Sequence, residues 1–142
     1  MLDSQVLMIL KQKVIYMGTT YENIPKVRPM RPFVDSMGTV WLVSHKDTQK
    51  IKEIEHNNKV ELCTLSDDHD VLRLQGRLLS EKNLKGSEVA KVRQDIILNL
   101  SGIGDFFVNA DDPTMMIYKL IVDNVIFRSV AGADKSELNF KP

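Results

Sequence analysis

A single cysteine, Cys63, in 142 residues excludes an internal disulfide and any metal site built from several cysteines. It lies in the strand-like run from Val60 to Leu65, where a buried, unreactive thiol is the simple expectation. An excess of one charge sign is also lacking. Nineteen Lys and Arg balance nineteen Asp and Glu, so no global field recruits nucleic acid or an anionic membrane. Any anion bound here must be gripped by a local cluster. No window approaches the ~18 consecutive apolar residues of a membrane span, and Lys11 and Lys13 interrupt the opening apolar run. Neither a signal peptide nor an anchor is expected, and the expected location is the cytoplasm. His45, His56 and His69 have no spacing that assembles a metal site from local elements. Asp67, Asp68 and Asp70 around His69 read as a solvated turn, since no calcium-type ligand loop follows. There is no internal repeat and no low-complexity segment.

What is present is an ordinary globular composition, 43% hydrophobic and 27% charged, with enough length for one domain over residues 1–142. Residues 2–12 carry Leu2, Val6, Ile9 and Leu10 at helical spacing, with Asp3 or Ser4 as cap. Residues 14–19 are β-branched and aromatic and predict a strand, ended by turn chemistry at Glu22-Asn23. Pro25, Pro29 and Pro32 forbid a helix from 26 to 34, leaving an extended strand suited to an edge, a bulge or a binding site. Ser36-Met37-Gly38 predicts a hairpin turn into a strand over 39–44. A helix follows at about 47–57, capped by Asp47 or Thr48, with Ile51 and Ile54 buried and Asn57-Asn58 as its end. Strands are predicted at 59–66 and 71–79, the second alternating Leu72, Leu74, Gly76 and Leu78 against Arg73, Gln75 and Arg77. Val89, Val92, Ile96, Ile97 and Leu100 form the apolar stripe of a helix over 86–100. Lys82, Lys85, Lys91 and Arg93 fit the wet side of this region. A loop over 101–113 leads to two closing strands at 114–122 and 124–129, and the polar tail after Ala131 is expected to fray at its end. Short strands joined by tight turns predict an antiparallel sheet, closed into a small barrel that hides its edges.

The chemistry concentrates between residues 25 and 50. Alternation puts Arg28 and Met30 on one strand face and Arg31 on the other. A hairpin would set this strand beside 39–44, which ends in Ser44, and Lys50 opens the next helix. Arg28, Ser44, Lys50 and the free amides of a helix start could converge on one anion. A forked guanidinium, an ammonium, a hydroxyl and a helix N-terminus are what a phosphate monoester needs. The alternative is that Arg28 and Lys50 are solvated surface charges.

The run Ile24-Pro25-Lys26-Val27-Arg28-Pro29-Met30-Arg31-Pro32, Thr39 to Ser44 with Lys50-Ile51, and Asn57-Asn58-Lys59-Val60-Glu61-Leu62 resemble successive segments of one family. Leu72 to Arg77, and Asp111-Asp112-Pro113 with Met116 to Leu120, continue the match. The family is the pyridoxamine 5′-phosphate oxidase-like proteins, in its general stress protein 26 branch, and the likeness spans roughly residues 12–128. The resemblance implies a mainly β fold, the FMN-binding split barrel of six to seven antiparallel strands with peripheral helices, and a homodimer. It implies FMN as cofactor, with Arg28 and Lys50 on the phosphate and Ser44 and Gln49 nearby. Pro29, Met30, Arg31 and Val43 would line the flavin and ribityl chain, and Gln75 would reach the ring across the dimer interface. Gln49 stands where related oxidases often carry a second cation, and Val125 to Arg128 lacks a tryptophan common there. The tail from Ala133 to Pro142 has neither Arg nor His, so true pyridoxamine 5′-phosphate oxidase activity is not expected.

The function so implied is an FMN-dependent oxidoreductase acting on an unidentified small molecule, with no catalytic side chain assignable and no nucleic acid, metal or membrane partner. Two alternatives stand beside it: a non-enzymatic flavin-binding or stress-related protein, and the same fold holding haem or a deazaflavin. Phe106-Phe107 could cap a flavin ring, fill a partner's groove or simply pack.

Overall fold

The computed structural model describes residues 1–129 and 138–140. Helix α1 (Ser4–Gln12) is capped by Asp3, whose carboxylate accepts the Gln5 amide at 2.8 Å, and buries Val6, Ile9 and Leu10. Strand β1 (Ile15–Tyr21) turns into β2 (Ile24–Met30) through Glu22 and Asn23, both at positive φ, the geometry of a tight hairpin whose twist matches its strands. Strand β3 (Phe33–Val34) pairs with β4 (Val40–His45). Asp35 shapes the turn between them: one carboxylate oxygen accepts the Met37 and Thr39 amides, and the other the Trp41 indole N–H, all at 2.9 Å.

Helix α2 (Gln49–His56) ends at Asn57 as its sequence implied, and β5 (Lys59–Leu65) and β6 (Asp70–Ser80) pair along their length. Helix α3 (Gly86–Asn99) precedes β7 (Met115–Ser129), and β8 (Leu138–Phe140) pairs back onto β7. The strands form one antiparallel sheet in the order β2-β1-β5-β6-β7-β4-β3. Its two end strands, β2 and β3, are separated in sequence only by Arg31 and Pro32. The sheet therefore has to curl until its ends meet, and the result is the mainly β split barrel.

Two expectations about the strands are corrected. The extended segment 26–34 is not one strand hairpinned to β4: Pro32 interrupts it, β2 pairs with β1, and only β3 pairs with β4. The two closing strands are one 15-residue strand, β7. The strand runs on through Asp123, because the register slips between Gln75 and Gly76 and Asp123 is absorbed as a bulge. In the tail, 138–140 forms a strand, and the end expected to fray lies outside the described residues.

Two apolar clusters hold the elements. Ile15, Met17, Leu42, Leu62, Leu74 and Leu120 belong to the barrel interior cluster, which α1 and α2 close with Leu10, Ile51 and Ile54. Trp41, Met115 and Ile117 sit with Phe33 in a second cluster completed by Val92 and Ile96 of α3 and by Ile103 and Phe107 of the following loop. Strands β4 and β7 are thus covered on both faces, which is why Val40-Trp41-Leu42 is buried without alternation. Each such side chain contributes about 1.5–3 kcal/mol. Cys63, expected to be buried, is only half-covered on the outer face of β5. No helix among the described residues is long and apolar enough to cross a membrane.

Candidate functional site

Where the curled sheet closes, Pro29, Met30 and Arg31 at the end of β2 face Val43 and His45 on β4, with Thr48 and Lys50 at the start of α2. The opposite wall comes from the loop after α3: Leu100, Ile103 and Phe107, with Gly102 and Phe106 beside them. The open cleft measures about 390 Å³, within the range of small-molecule sites. Phe107 is buried and stacks on His45 (15° between planes, 6.4 Å between centroids), whereas Phe106 is 74% exposed at the rim. The aromatic pair therefore divides its work, one ring packing and one free.

The loop wall is fixed by residues that sequence reasoning placed on the surface. Arg93 is not part of the wet side of α3. It donates to the carbonyls of Ala110 and Asp112 (2.6 Å each) and Met115 (2.8 Å), and pairs with Glu81 at 2.6 Å. Lys82, Lys85 and Lys91 are exposed as expected. The Asp112 carboxyl accepts from the Thr114 hydroxyl (2.6 Å), the Thr114 amide (2.9 Å) and the Val108 amide (3.1 Å). Those bonds bring its pKa down to about 2.

The cationic end of the cleft has a construction that the sequence did not reveal. Lys50 lines the cleft and has no carboxylate within ion-pair distance among the described residues. Burial, and next the charge of Arg28, hold its pKa below the usual lysine value. Arg28 itself points inward and is already engaged. Its guanidinium donates to the Met17 carbonyl (3.1 Å), the Thr19 hydroxyl (2.9 Å) and the Glu53 carboxylate (2.6 Å). Glu53 is 1% exposed and also accepts from Thr19 at 3.1 Å. The one clue in the sequence was its spacing, three residues after Lys50 and flanked by the buried Ile51 and Ile54.

Thr48 occupies the N-cap of α2 without capping it. Its hydroxyl donates instead to the His45 carbonyl (2.9 Å) and meets the Ser44 hydroxyl at 3.1 Å. The first amides of α2 consequently have no side-chain acceptor from their own cap. Ser44 is buried beneath Thr48 rather than lining the cleft, and Gln49 is exposed outside it. Gln75 lies elsewhere, on the outer face of β6, hydrogen-bonded to Glu61 (3.1 Å) and Asn124 (3.3 Å). There it borders a groove with Gly18, Val27 and Arg77. Within one chain the structure brings Pro29, Met30, Arg31, Val43 and Lys50 together, stations Arg28 behind them, and leaves Gln75 apart.

Comparison with solved structures finds the same fold in a NimC/NimA family protein of Clostridium acetobutylicum. It has a TM-score of 0.80 and 19% identity, over 97% of this chain and 90% of that one. General stress protein 26 of Bacillus anthracis str. Sterne follows at 0.70 and 15% identity (96% and 97% covered). A pyridoxamine 5′-phosphate oxidase-related, FMN-binding protein of Nostoc punctiforme (13% identity, 96% and 84% covered) and a haem-binding protein of Mycobacterium smegmatis (14%, 92% and 53%) both superpose at 0.71. At such identities the likeness is one of fold, and the fold alone does not choose between these ligands. No curated protein matches the sequence. The family model described as pyridoxamine 5′-phosphate oxidase-like matches residues 4–88, more than half of the sequence, and the chain therefore belongs to the pyridoxamine 5′-phosphate oxidase-like family.

Proposed function

We propose that this chain is an FMN-binding flavoprotein, an oxidoreductase for a small molecule admitted to the cleft, and that it works as a homodimer. The observation that carries the reading is Lys50: a cation without an acidic partner among the described residues, at the uncapped start of α2, beside an apolar slot. A half-buried ammonium with nothing to pair is a ready seat for a ligand anion. The donor set fits a phosphate monoester. Lys50 and the first amides of α2 would hold the phosphate, with Arg28 adding its field from behind. Met30, Val43 and Phe107 would keep water from the ring system. His45 Nδ1 accepts the Asp47 amide at 3.2 Å. When bound, FMN supplies the hydride or electron transfer itself.

The homodimer reading rests on Gln75 and on exposed apolar side chains of the β1–β2 face: Tyr16 (53%), Ile24 (54%) and Val27 (70%). A two-fold partner seated there would cover them and carry its own Gln75 towards this cleft. Sedimentation should report a dimer; a monomer that binds FMN fully would remove this element.

The test of the phosphate assignment is Lys50→Met. It should weaken FMN while sparing riboflavin, by the value of one charge-assisted hydrogen bond, about 1.5–3 kcal/mol, or roughly 10- to 150-fold in Kd. Lys50 is charged below its pKa, which lies under the usual lysine value. In the wild type the preference for FMN over riboflavin should accordingly decline with rising pH before ordinary lysines titrate near about 10.4. Equal losses for both flavins in Lys50→Met would contradict the assignment. Haem is a second reading, favoured by His45 as an imidazole in the cleft wall; a Soret band after reconstitution would identify it.

A further inference from the structure

We propose that Glu53 is an internal counter-anion that sets how tightly this site grips phosphate, a specificity-determining residue rather than a ligand. The inference rests on the FMN reading above and deepens it. Lys50 lines the cleft, and Arg28, next in sequence to the cleft-lining Pro29, stands behind it with its charge helping to lower the Lys50 pKa. The carboxylate of Glu53 lies 2.6 Å from the Arg28 guanidinium and is sealed from solvent at 1% exposure. It therefore offsets part of the Arg28 charge in a region where water screens little. An arriving phosphate meets less than the full charge of the two cations. A site selected for the tightest grip would leave both cations uncancelled, whereas this one is attenuated and suits a flavin that can leave.

Glutamine is the informative replacement. Both bonds that Glu53 accepts, from Arg28 and from Thr19, go to the same oxygen, Oε2. A glutamine carbonyl can stand in that place, keep both bonds and release the Arg28 charge. Glu53→Gln should then bind FMN roughly tenfold tighter, the order expected for one unscreened charge several ångströms from the ligand, with riboflavin unchanged. Glu53→Asp keeps the charge and shortens the reach, so its ratio of FMN to riboflavin affinity should stay near that of the wild type. Fluorescence titration of wild type and both variants with FMN and riboflavin gives the answer. An unchanged or reduced ratio in Glu53→Gln, or a lost phosphate preference in Glu53→Asp, would overturn the inference while leaving the FMN reading intact. If Glu53→Gln does not fold, the Glu53→Asp ratio decides alone. A wild type that binds neither flavin would overturn both.

Discussion

Replacing Arg28 with methionine should destabilise the protein by about 3–5 kcal/mol, because it strands a buried carboxylate. Glu53 is sealed between β1 and α2, and Arg28 is the cation paired with it. Once the guanidinium is gone, Glu53 must ionise without a partner or take up a proton, and Thr19 and the Met17 carbonyl each lose a donor. Exposed ion pairs rarely reach 1 kcal/mol, so the size of the loss separates this pair from the surface ones. Arg28→Met combined with Glu53→Met should recover most of it, since two apolar side chains of similar volume leave no charge behind. Urea midpoints of the single and double variants check this. A single variant within about 1 kcal/mol of wild type would show that the pair is not the buried element described here. The same argument warns that weak FMN binding by an Arg28 variant would reflect the stranded carboxylate as well as the lost cation, so Lys50 is the cleaner probe of the phosphate.

Gly76→Ala is expected to be at least as damaging, about 3 kcal/mol or more. A Cβ at this position would overlap the Ile121 carbonyl oxygen and stand 3.1 Å from its carbon and 3.2 Å from the Val122 Cα. All three are backbone atoms of the neighbouring strand, so no side chain can swing away. The site lies where β6 and β7 slip register, with Gly76 opposite Val122 and Gln75 opposite Asn124. Only a residue without a Cβ lets β7 cross so close while Asp123 bulges outward. The loss should appear in the unfolding midpoint, accompanied by weakened amide protection in β6 and β7. An alanine variant as stable as wild type would mean that the bulge relaxes freely, and the close approach would then carry no energetic weight.

Much of this architecture was legible in the sequence, for local reasons. The alternation of Leu72, Leu74 and Leu78, the stripe of Val92 and Ile96, and the turn residues at Glu22-Asn23 and Gly38 each encode their element within a few residues. The errors came where a long-range contact decides. Asp123 reads as a break between two strands until Gly76, some 47 residues earlier, is seen to allow a bulge instead. The segment from 26 to 34 reads as one extended strand, but the barrel needs it to serve both ends of a curled sheet, so it breaks at Arg31-Pro32. Arg93 has the spacing of a solvated helix position, and only the return of the chain at 110–115 buries it. The candidate site divides in the same way. The family resemblance, rather than strand alternation, grouped Pro29, Met30, Arg31, Val43 and Lys50, which line one cleft, whereas the spacing of Glu53 near Ile51 and Ile54 is the one sign that its carboxylate is drawn inward to meet Arg28.

The most direct measurement of the central claim is calorimetric titration of the purified wild-type protein with FMN, with riboflavin as the control lacking only the phosphate. FMN binding in the micromolar range or tighter, with riboflavin at least tenfold weaker, is the expected result and corresponds to about 1.4 kcal/mol or more assigned to the phosphate. Equal affinity for the two, or no binding of either, would contradict a phosphate-anchored flavin at Lys50.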